Sequence, residues 1–236
     1  MNEITKQAAK NYALGNPIVE SCAFIIIENG IEKFLPARNI SKEKHNHFII
    51  APESYIEAES RGQIIGIFHS HVSQPAIASQ CDLVSCETTG VAWHIYSIAF
   101  DAWYTFYPKG YLAPLIGRTF KYGTLDCYSL VRDYYKQKLS IELPDFPRSD
   151  EDAFRKGQNL YLDNMEKAGF RKVEDLKEND VILMQLIGRV ASHAAIYLGG
   201  NLILHHLRNR LSSRDTYGEY YRNKTVLFCR YFGVST

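Results

Sequence analysis

Short apolar runs, each only a few residues long, form two groups along this chain and limit the kind of fold it can adopt. The first group is Cys22–Ile27, Phe48–Ile50, Ile64–Phe68 and Trp93–Phe100, and the second is Val181–Leu186, Ala194–Leu198, Leu202–Leu207 and Val226–Tyr231. Their length and their β-branched and aromatic content predict strands. The chain therefore divides into two strand-containing halves.

Helical patterns accompany these runs in both halves. We predict helices at Tyr55–Ser60, Ser79–Thr88, Cys127–Lys138 and Ser149–Ala168. The aromatic stretch Asp101–Tyr111 contains Pro108 and Gly110, and we predict that it connects the two halves. Because helices and strands are segregated within each half, we predict two α+β domains, at residues 1–105 and 112–236.

Composition narrows the class of protein. Of the 236 residues, 46% are hydrophobic, which is enough for a core and excludes a disordered chain. A net charge of +1 argues against a nucleic-acid partner, and five cysteines argue against a disulfide framework. No apolar run reaches the length of a membrane span, and residues 1–20 lack the apolar core of a signal peptide. We therefore predict a chain that is made and folded in a reducing cytosol.

His69 and His71 stand at the end of a predicted strand, and Ser79 and Asp82 follow them. Alternate residues of a strand share a face, so both imidazoles point to one place. Residues three apart on a helix also share a face, so Asp82 can add an oxygen ligand beside the Ser79 hydroxyl. Two nitrogens and one carboxylate leave a position open, as in catalytic zinc sites. Such a site needs a carboxylate base, for which Glu20 is the candidate.

Each part of this pattern also has a plainer explanation. Ser79 and Asp82 could only cap the helix, and two histidines near a strand end could be ordinary surface residues. The joint spacing favours the metal site. The pair His45 and His47 has the same spacing, but a tyrosine stands where the first pair has Ser79, and no acid follows at the right distance.

Glu20, the pair His69 and His71, Ser79 and Asp82 together resemble the motif of the JAMM (MPN+) metallopeptidases, over about residues 18–100. The resemblance implies an N-terminal JAMM/MPN-like α/β domain in which the two histidines and Asp82 hold Zn²⁺. It further implies that Glu20 is the base acting on water at the metal and that Ser79 hydrogen-bonds the developing oxyanion. The reaction would be hydrolysis of an amide or isopeptide bond in an unidentified substrate.

Cys127 lies at the start of a predicted helix, where free amides and the helix dipole stabilise a thiolate. We therefore expect its pKa to fall below the ordinary value. A nucleophilic cysteine also needs a histidine base and a group that orients this base. His193 directly precedes one predicted strand and His205 lies near the end of the next, and a Gly-Gly-Asn turn joins these strands into a hairpin. We expect the two histidines to be neighbours.

Taken alone, a cysteine at a helix start is more often a small buried apolar residue. The other four cysteines, Cys22, Cys81, Cys86 and Cys229, lie in apolar runs or lack a histidine partner, and we assign them to packing. Cys81 adjoins Asp82, but it points in another direction from the helix. We expect no metal ligation from it.

Asp126-Cys127, His193 and His205 in their local sequences resemble the NlpC-type cysteine peptidases, which are papain-like and cleave peptide crosslinks of bacterial cell walls. The resemblance covers about residues 112–236. It implies Cys127 as nucleophile, His193 as base and His205 as the polar third member, whereas His206 points to the opposite face of its strand. In this chain Tyr-Ser-Leu follows the cysteine, whereas the common bacterial form has Ser-Gly-Leu. The resemblance therefore does not identify which peptidoglycan bond is cleaved.

The two domain types in one chain resemble, almost end to end, the tail tip assembly proteins of long-tailed bacteriophages. This implies a virion component that is made in the host cytoplasm and acts at the host cell wall. Its partners would be other tail tip proteins, and its substrate a peptidoglycan peptide. Two alternatives stay open: a structural tail-tip subunit with masked or inactive sites, and a host-type wall-remodelling peptidase, which the lack of an export signal disfavours.

Overall fold

The structure is a computed structural model that describes residues 1–148 and 152–233. It forms two compact units, Met1–Leu112 and Ala113–Thr236, each with its own sheet. The two mixed units confirm the predicted α+β class. Within the described ranges, no helix is both long enough and apolar enough to cross a bilayer.

The first unit is a five-stranded sheet with helices on both faces. In chain order its elements are α1 (Glu3–Gly15), β1 (Cys22–Glu28), β2 (Ile31–Ala37), α2 (Pro52–Arg61), β3 (Gln63–His71), α3 (Gln80–Thr89), β4 (Ala92–Ser97) and β5 (Ala102–Phe106). The strand order is β2-β1-β3-β4-β5, and only β3 and β4 are parallel, because α3 crosses over between them. One core includes Ala58 and Cys86 from α2 and α3, and a second core includes Ala9 and Ala13 from α1.

Two elements of this unit carry weak sequence signals and were not predicted. Helix α1 buries mainly small side chains, among them Ala9 and Ala13, so it lacks a strong apolar stripe. Strand β2 lies at the sheet edge and contains Pro36, a residue that edge strands tolerate. The run Phe48–Ile50, predicted as a strand, makes only an isolated bridge between Ile50 and Asn39.

The predicted connector Asp101–Tyr111 was partly wrong. Strand β4 ends at Ser97, and the chain turns back at Asp101, whose φ is 46°, a conformation that Asp tolerates better than most residues. It then forms β5, which pairs antiparallel with β4. A boundary at residue 105 would cut through β5, whereas the first compact unit continues to Leu112.

The second unit packs a helix against a six-stranded antiparallel sheet. Its elements are α4 (Cys127–Leu139), α5 (Asp152–Arg155), α6 (Leu160–Met165), β6 (Phe170–Val173), β7 (Val181–Met184), β8 (His193–Tyr197), β9 (Leu202–His205), β10 (Ser213–Thr216), α7 (Glu219–Lys224) and β11 (Thr225–Tyr231). The strand order is β10-β9-β8-β7-β11-β6. Residues such as Leu130 and Val131 of α4 pack on Leu183 and Ile196 to form its main core.

The predicted long helix Ser149–Ala168 was wrong in its described part. The structure has the short helices α5 and α6, and Gly157 between them has a φ of 83°, which a right-handed helix does not allow. Residues 149–151 lie outside the described ranges. Strands β6 and β10 and helix α7 are short and largely polar, so periodicity did not reveal them.

Each unit buries a histidine that makes stability depend on pH. His94 in the first unit and His206 in the second are 4% and 0% exposed, and burial lowers the pKa of each to about 4. The folded state favours the neutral rings, so their contribution is present above the unfolded pKa of about 6.5 and is lost as pH falls towards 4. Each adds a slope of at most about 1.4 kcal/mol per pH unit to the free energy of unfolding.

Urea unfolding at pH 7, 6 and 5 measures this slope. We expect the His94→Gln/His206→Gln variant to show a flatter dependence than the wild type. His45→Gln, at an exposed position, is the control and should keep the wild-type slope. Equal slopes in all three proteins would contradict the assignment.

Candidate functional sites

Strand β3 ends with two buried imidazoles that lie next to a carboxylate. His69 and His71 are 1% and 5% exposed, and their Nε2 atoms are 3.2 Å apart. His69 Nε2 lies 3.7 Å from Asp82 Oδ1, and one ligand atom from each of the three residues lies within 4.8 Å of the others. Two nitrogens bound to zinc at about 2.0–2.1 Å in a tetrahedral set would lie about 3.3 Å apart. The spacing of these atoms therefore fits a single metal ion.

The surroundings of both rings favour the form that binds a metal. The His71 Nδ1 atom is 2.7 Å from the Pro75 carbonyl oxygen, so Nδ1 donates its proton there and Nε2 keeps a free lone pair. His69 stacks on Phe48, with ring centroids 4.6 Å apart. Burial lowers the pKa of His69 to about 4, against the opposing effect of Asp82. The His69 ring is therefore neutral near pH 7, as a ligand must be.

Ser79 and Asp82 form the helix cap that the plainer explanation predicts, and the cap leaves one carboxylate oxygen for the histidines. Ser79 Oγ accepts from the Asp82 amide at 3.1 Å, and Asp82 Oδ2 accepts from the Ser79 amide at 2.7 Å. Asp82 Oδ1 is the oxygen that faces His69. Since Ser79 is exposed and its oxygen acts as an acceptor in the cap, its hydroxyl proton stays available for a bound group.

Glu20 lies just before β1 and is 5% exposed. Beyond the paired ends of β1 and β3, the Ser21 amide donates to Ser70 Oγ at 2.9 Å, and the Ser70 amide donates to the Ser21 carbonyl at 2.9 Å. Continuing this register by one residue brings Glu20 level with His71. The Glu20 amide donates to the Lys44 carbonyl at 2.7 Å, which fixes the backbone there.

His45 and the remaining cysteines are not among the possible metal ligands. His45 is exposed, with Nδ1 3.2 Å from the Ile18 carbonyl oxygen. Cys22, Cys86 and Cys229 are buried in the cores, and Cys81 is half-buried. None of these residues belongs to the group of three possible ligands in the described part of the chain.

Cys127 is the first residue of α4, and its sulfur is enclosed. Asp126 caps the helix through Oδ1, which accepts from the Ser129 amide at 2.9 Å. The Cys127 side chain touches the Tyr161 hydroxyl at 3.0 Å and accepts from the Ala194 amide. The residue is 8% exposed.

The expected low pKa of Cys127 was wrong. Burial raises the pKa of this thiol above its ordinary value, and the Asp126 carboxylate adds to the rise. Hydrogen bonds from Tyr161 and Ala194 act in the opposite direction but are outweighed. The resting residue is therefore a neutral thiol, and a nearby base must take its proton before it can attack.

The β8–β9 hairpin places His193 and His205 side by side. His193 Nε2 is 3.1 Å from His205 Nδ1, and the two residues are 4% and 1% exposed. Burial lowers the pKa of His193 well below the ordinary value, so its ring is neutral and can accept a proton. Ala194, which follows His193, contacts the Cys127 sulfur and so brings β8 against the start of α4.

Three further side chains complete this arrangement and were missed by sequence reasoning. Asp215 on β10 lies 3.1 Å from His205 Nε2, and Arg148 donates to Asp126 Oδ2 at 2.7 Å. Tyr161 lies on α6, against the cysteine. No spacing rule connects these positions to Cys127, and both β10 and the break before α6 were absent from the predicted elements.

Comparison with known proteins agrees with this division into two units. Residues 3–106 match the family described as prokaryotic homologs of the JAB domain, and residues 117–230 match the NlpC/P60 family. A solved NLP/P60 family structure from Staphylococcus aureus is 15% identical, covering 99% of this chain and 62% of that chain, with a TM-score of 0.32. A likeness at that level adds nothing to the assignment.

Two relatives match most of the chain. Tail tip assembly protein K of Escherichia phage N15 is 35% identical over 237 residues, which cover 99% of this chain and 97% of that protein. Tail tip assembly protein K of Escherichia phage lambda is 35% identical over 178 residues, covering 75% of this chain and 86% of that protein. These matches confirm the resemblance to phage tail tip proteins that both sequence motifs indicated. This chain therefore belongs to the tail tip assembly protein K family.

Proposed function

We propose that this protein is a tail tip component with two hydrolase sites, one of which opens the peptidoglycan of the host cell locally. The cysteine unit would cleave wall peptides, and the metal unit would cleave an amide or isopeptide bond in a second substrate. Other tail tip proteins are its partners, and the virion tail tip is its place of action. The observation that carries the proposal is the line of hydrogen-bonding groups from His193 to Asp215 beside a buried cysteine.

The proposed cysteine reaction uses Cys127, His193 and His205. The Cys127 proton passes to His193, and the sulfur attacks the peptide carbonyl to form an acyl-enzyme. His193 then returns the proton to the leaving amine, and water releases the peptide acid. His205 keeps the His193 ring in place through the 3.1 Å contact between them.

The metal unit would hydrolyse the same kind of bond by a different mechanism. His69, His71 and Asp82 would hold Zn²⁺, which when bound supplies a Lewis acid that activates water and polarises a carbonyl. Glu20 would accept the proton that water gives up. Ser79 would donate its hydroxyl proton to the carbonyl oxygen as negative charge develops on it.

Metal analysis tests the ligand assignment directly. We expect about one zinc per chain in purified protein, and its loss in His69→Ala/His71→Ala, because two of three ligands are then missing. His45→Ala/His47→Ala removes a histidine pair of the same spacing and should keep the metal. Equal metal content in both double variants would rule the assignment out.

A structural subunit with masked sites is the second candidate, and one observation favours it. Tyr161 covers the Cys127 sulfur, and the thiol is neutral and only 8% exposed. Zymography of purified protein on peptidoglycan separates the two candidates. Clearing that depends on Cys127 supports the hydrolase. Clearing by Tyr161→Ala but not by the folded wild type supports the masked subunit, and lack of clearing by both folded proteins supports an inactive structural subunit.

A further inference from the structure

Asp215 extends the pair of histidines by one more contact, which is partly buried. Its Oδ2 atom lies 3.1 Å from His205 Nε2, and His205 Nδ1 lies 3.1 Å from His193 Nε2. The three side chains therefore form one line that starts at β10, passes through β9 and ends on β8. Neither sequence motif includes Asp215.

The surroundings of Asp215 keep its carboxylate ionised and in place. Ser213 Oγ donates to Oδ1 at 3.0 Å, and the Tyr221 hydroxyl donates to Oδ2 at 3.0 Å. Arg210 Nη1 lies 3.4 Å from Oδ2. Although burial opposes the charge, the hydrogen bonds from His205, Ser213 and Tyr221 lower the pKa of Asp215 overall. An ionised carboxylate can only accept hydrogen bonds.

This restriction determines the proton positions on both rings. Because Asp215 can only accept, His205 must carry its proton on Nε2 and leave Nδ1 as an acceptor. His193 must then donate from Nε2, and its Nδ1 is left with a lone pair. The Tyr221 hydroxyl also lies near His205 Nε2, at 3.5 Å, but it donates its proton to Asp215 Oδ2 at the shorter distance of 3.0 Å. It therefore does not change the proton positions on the two rings.

We propose that Asp215 is a positioning residue which, through His205, makes His193 Nδ1 the atom that receives the Cys127 proton. The inference rests on the proposed cysteine hydrolase and deepens it. When the proton leaves Sγ for Nδ1, positive charge appears on His193. The Nε2–H bond to His205, and the bond from His205 to the carboxylate, stabilise that charge.

The Asn substitution at this position tests the proton order. Asp215→Asn keeps the shape but can donate its amide proton to His205 Nε2, which would reverse the donors along the line and put a proton on His193 Nδ1. In Ser-His-Asp triads such a reversal costs about 10⁴-fold, and Asp215 is one ring further from the base. We expect Asp215→Asn to lower the rate of Cys127 alkylation by iodoacetamide at pH 7 by about 10- to 100-fold relative to the wild type. Peptide mapping measures the alkylation of Cys127.

Two further variants distinguish an effect on the proton positions from a loss of structural support for the histidines. Asp215→Ala cannot donate, so the rings keep the freedom to adopt the active order, and the loss should be smaller than for Asp215→Asn. Asp175→Asn makes the same change at an exposed carboxylate of this unit, which pairs with Lys177, and should alkylate at the wild-type rate. An Asp215→Ala loss equal to or larger than that of Asp215→Asn would overturn the proposal.

Nitrogen NMR of the ¹⁵N-histidine-labelled protein gives a readout that needs no substrate and no variant. We expect both His193 and His205 to carry their protons on Nε2 at pH 7.5. A wild-type His193 with its proton on Nδ1 would refute the proposal even if every variant misfolds. Because neither alkylation nor NMR uses peptidoglycan, failure of wall cleavage would count against the proposed function and leave the Asp215 assignment to be judged separately.

Discussion

We expect His193→Ala to lower the rate of peptidoglycan cleavage by about 10³-fold or more, and Cys127→Ala to remove it entirely. The reason lies in the resting state of the site. Burial raises the pKa of the Cys127 thiol, so very little thiolate exists near neutral pH without a base. Release of soluble fragments from purified walls measures the rate.

His206→Ala is the matched control, since this histidine follows His205 directly but packs against Phe120 with ring centroids 5.1 Å apart. It should cost stability without removing the base. If His193→Ala and His206→Ala lost activity equally at a temperature where both are folded, His193 would not be the base.

The second large effect is expected at Glu20. Glu20→Gln should keep the bound zinc and lower amide hydrolysis by the first unit by about 10²–10⁴-fold, because glutamine cannot accept a proton from water. The metal content should not change, since the proposed ligands are His69, His71 and Asp82. A panel of tail protein peptides and isopeptides, with product detection by mass spectrometry, provides the assay.

Glu32→Gln is a suitable control because this carboxylate belongs to the same unit, 3.9 Å from the chain's amino group. Its activity should match the wild type. Full activity of Glu20→Gln with zinc bound would show that the proton goes elsewhere.

The sequence revealed the parts of each site that lie close together in the chain. The alternation of His69 and His71 at the end of a strand and the three-residue step from Ser79 to Asp82 are local patterns, and the structure brings these residues together. The Gly-Gly-Asn turn likewise indicated that His193 and His205 would meet.

The missed residues are those that only tertiary packing brings to a site. Tyr161 reaches Cys127 across 34 residues, and Asp215 comes from an edge strand whose residues alternate between half-buried and exposed. The error in the pKa of Cys127 has the same origin. The sequence shows that Cys127 lies at the start of a helix, which lowers the pKa of a thiol. The burial that raises this pKa more strongly depends on how the whole unit packs.

Strand β5 was predicted as a connector because its local sequence resembles one. Its sequence, Ala-Trp-Tyr-Thr-Phe, is aromatic and stands next to Pro108 and Gly110, so it was interpreted as part of a connector. Pairing with β4 makes it part of the first sheet. Separate expression of the two units should therefore divide the chain after Leu112.

The central claim is that one chain carries two independent chemistries, and wall digestion under two inhibitors tests it most directly. Purified peptidoglycan is treated with wild type, Cys127→Ala and His69→Ala proteins, each with and without a zinc chelator or prior thiol alkylation. We expect alkylation and Cys127→Ala to stop the release of wall peptides. The chelator and His69→Ala should leave the release within about twofold of the wild type, since a thiolate and an imidazole form the acyl-enzyme without metal. Loss of wall cleavage in His69→Ala, with Cys127→Ala still active, would contradict the claim.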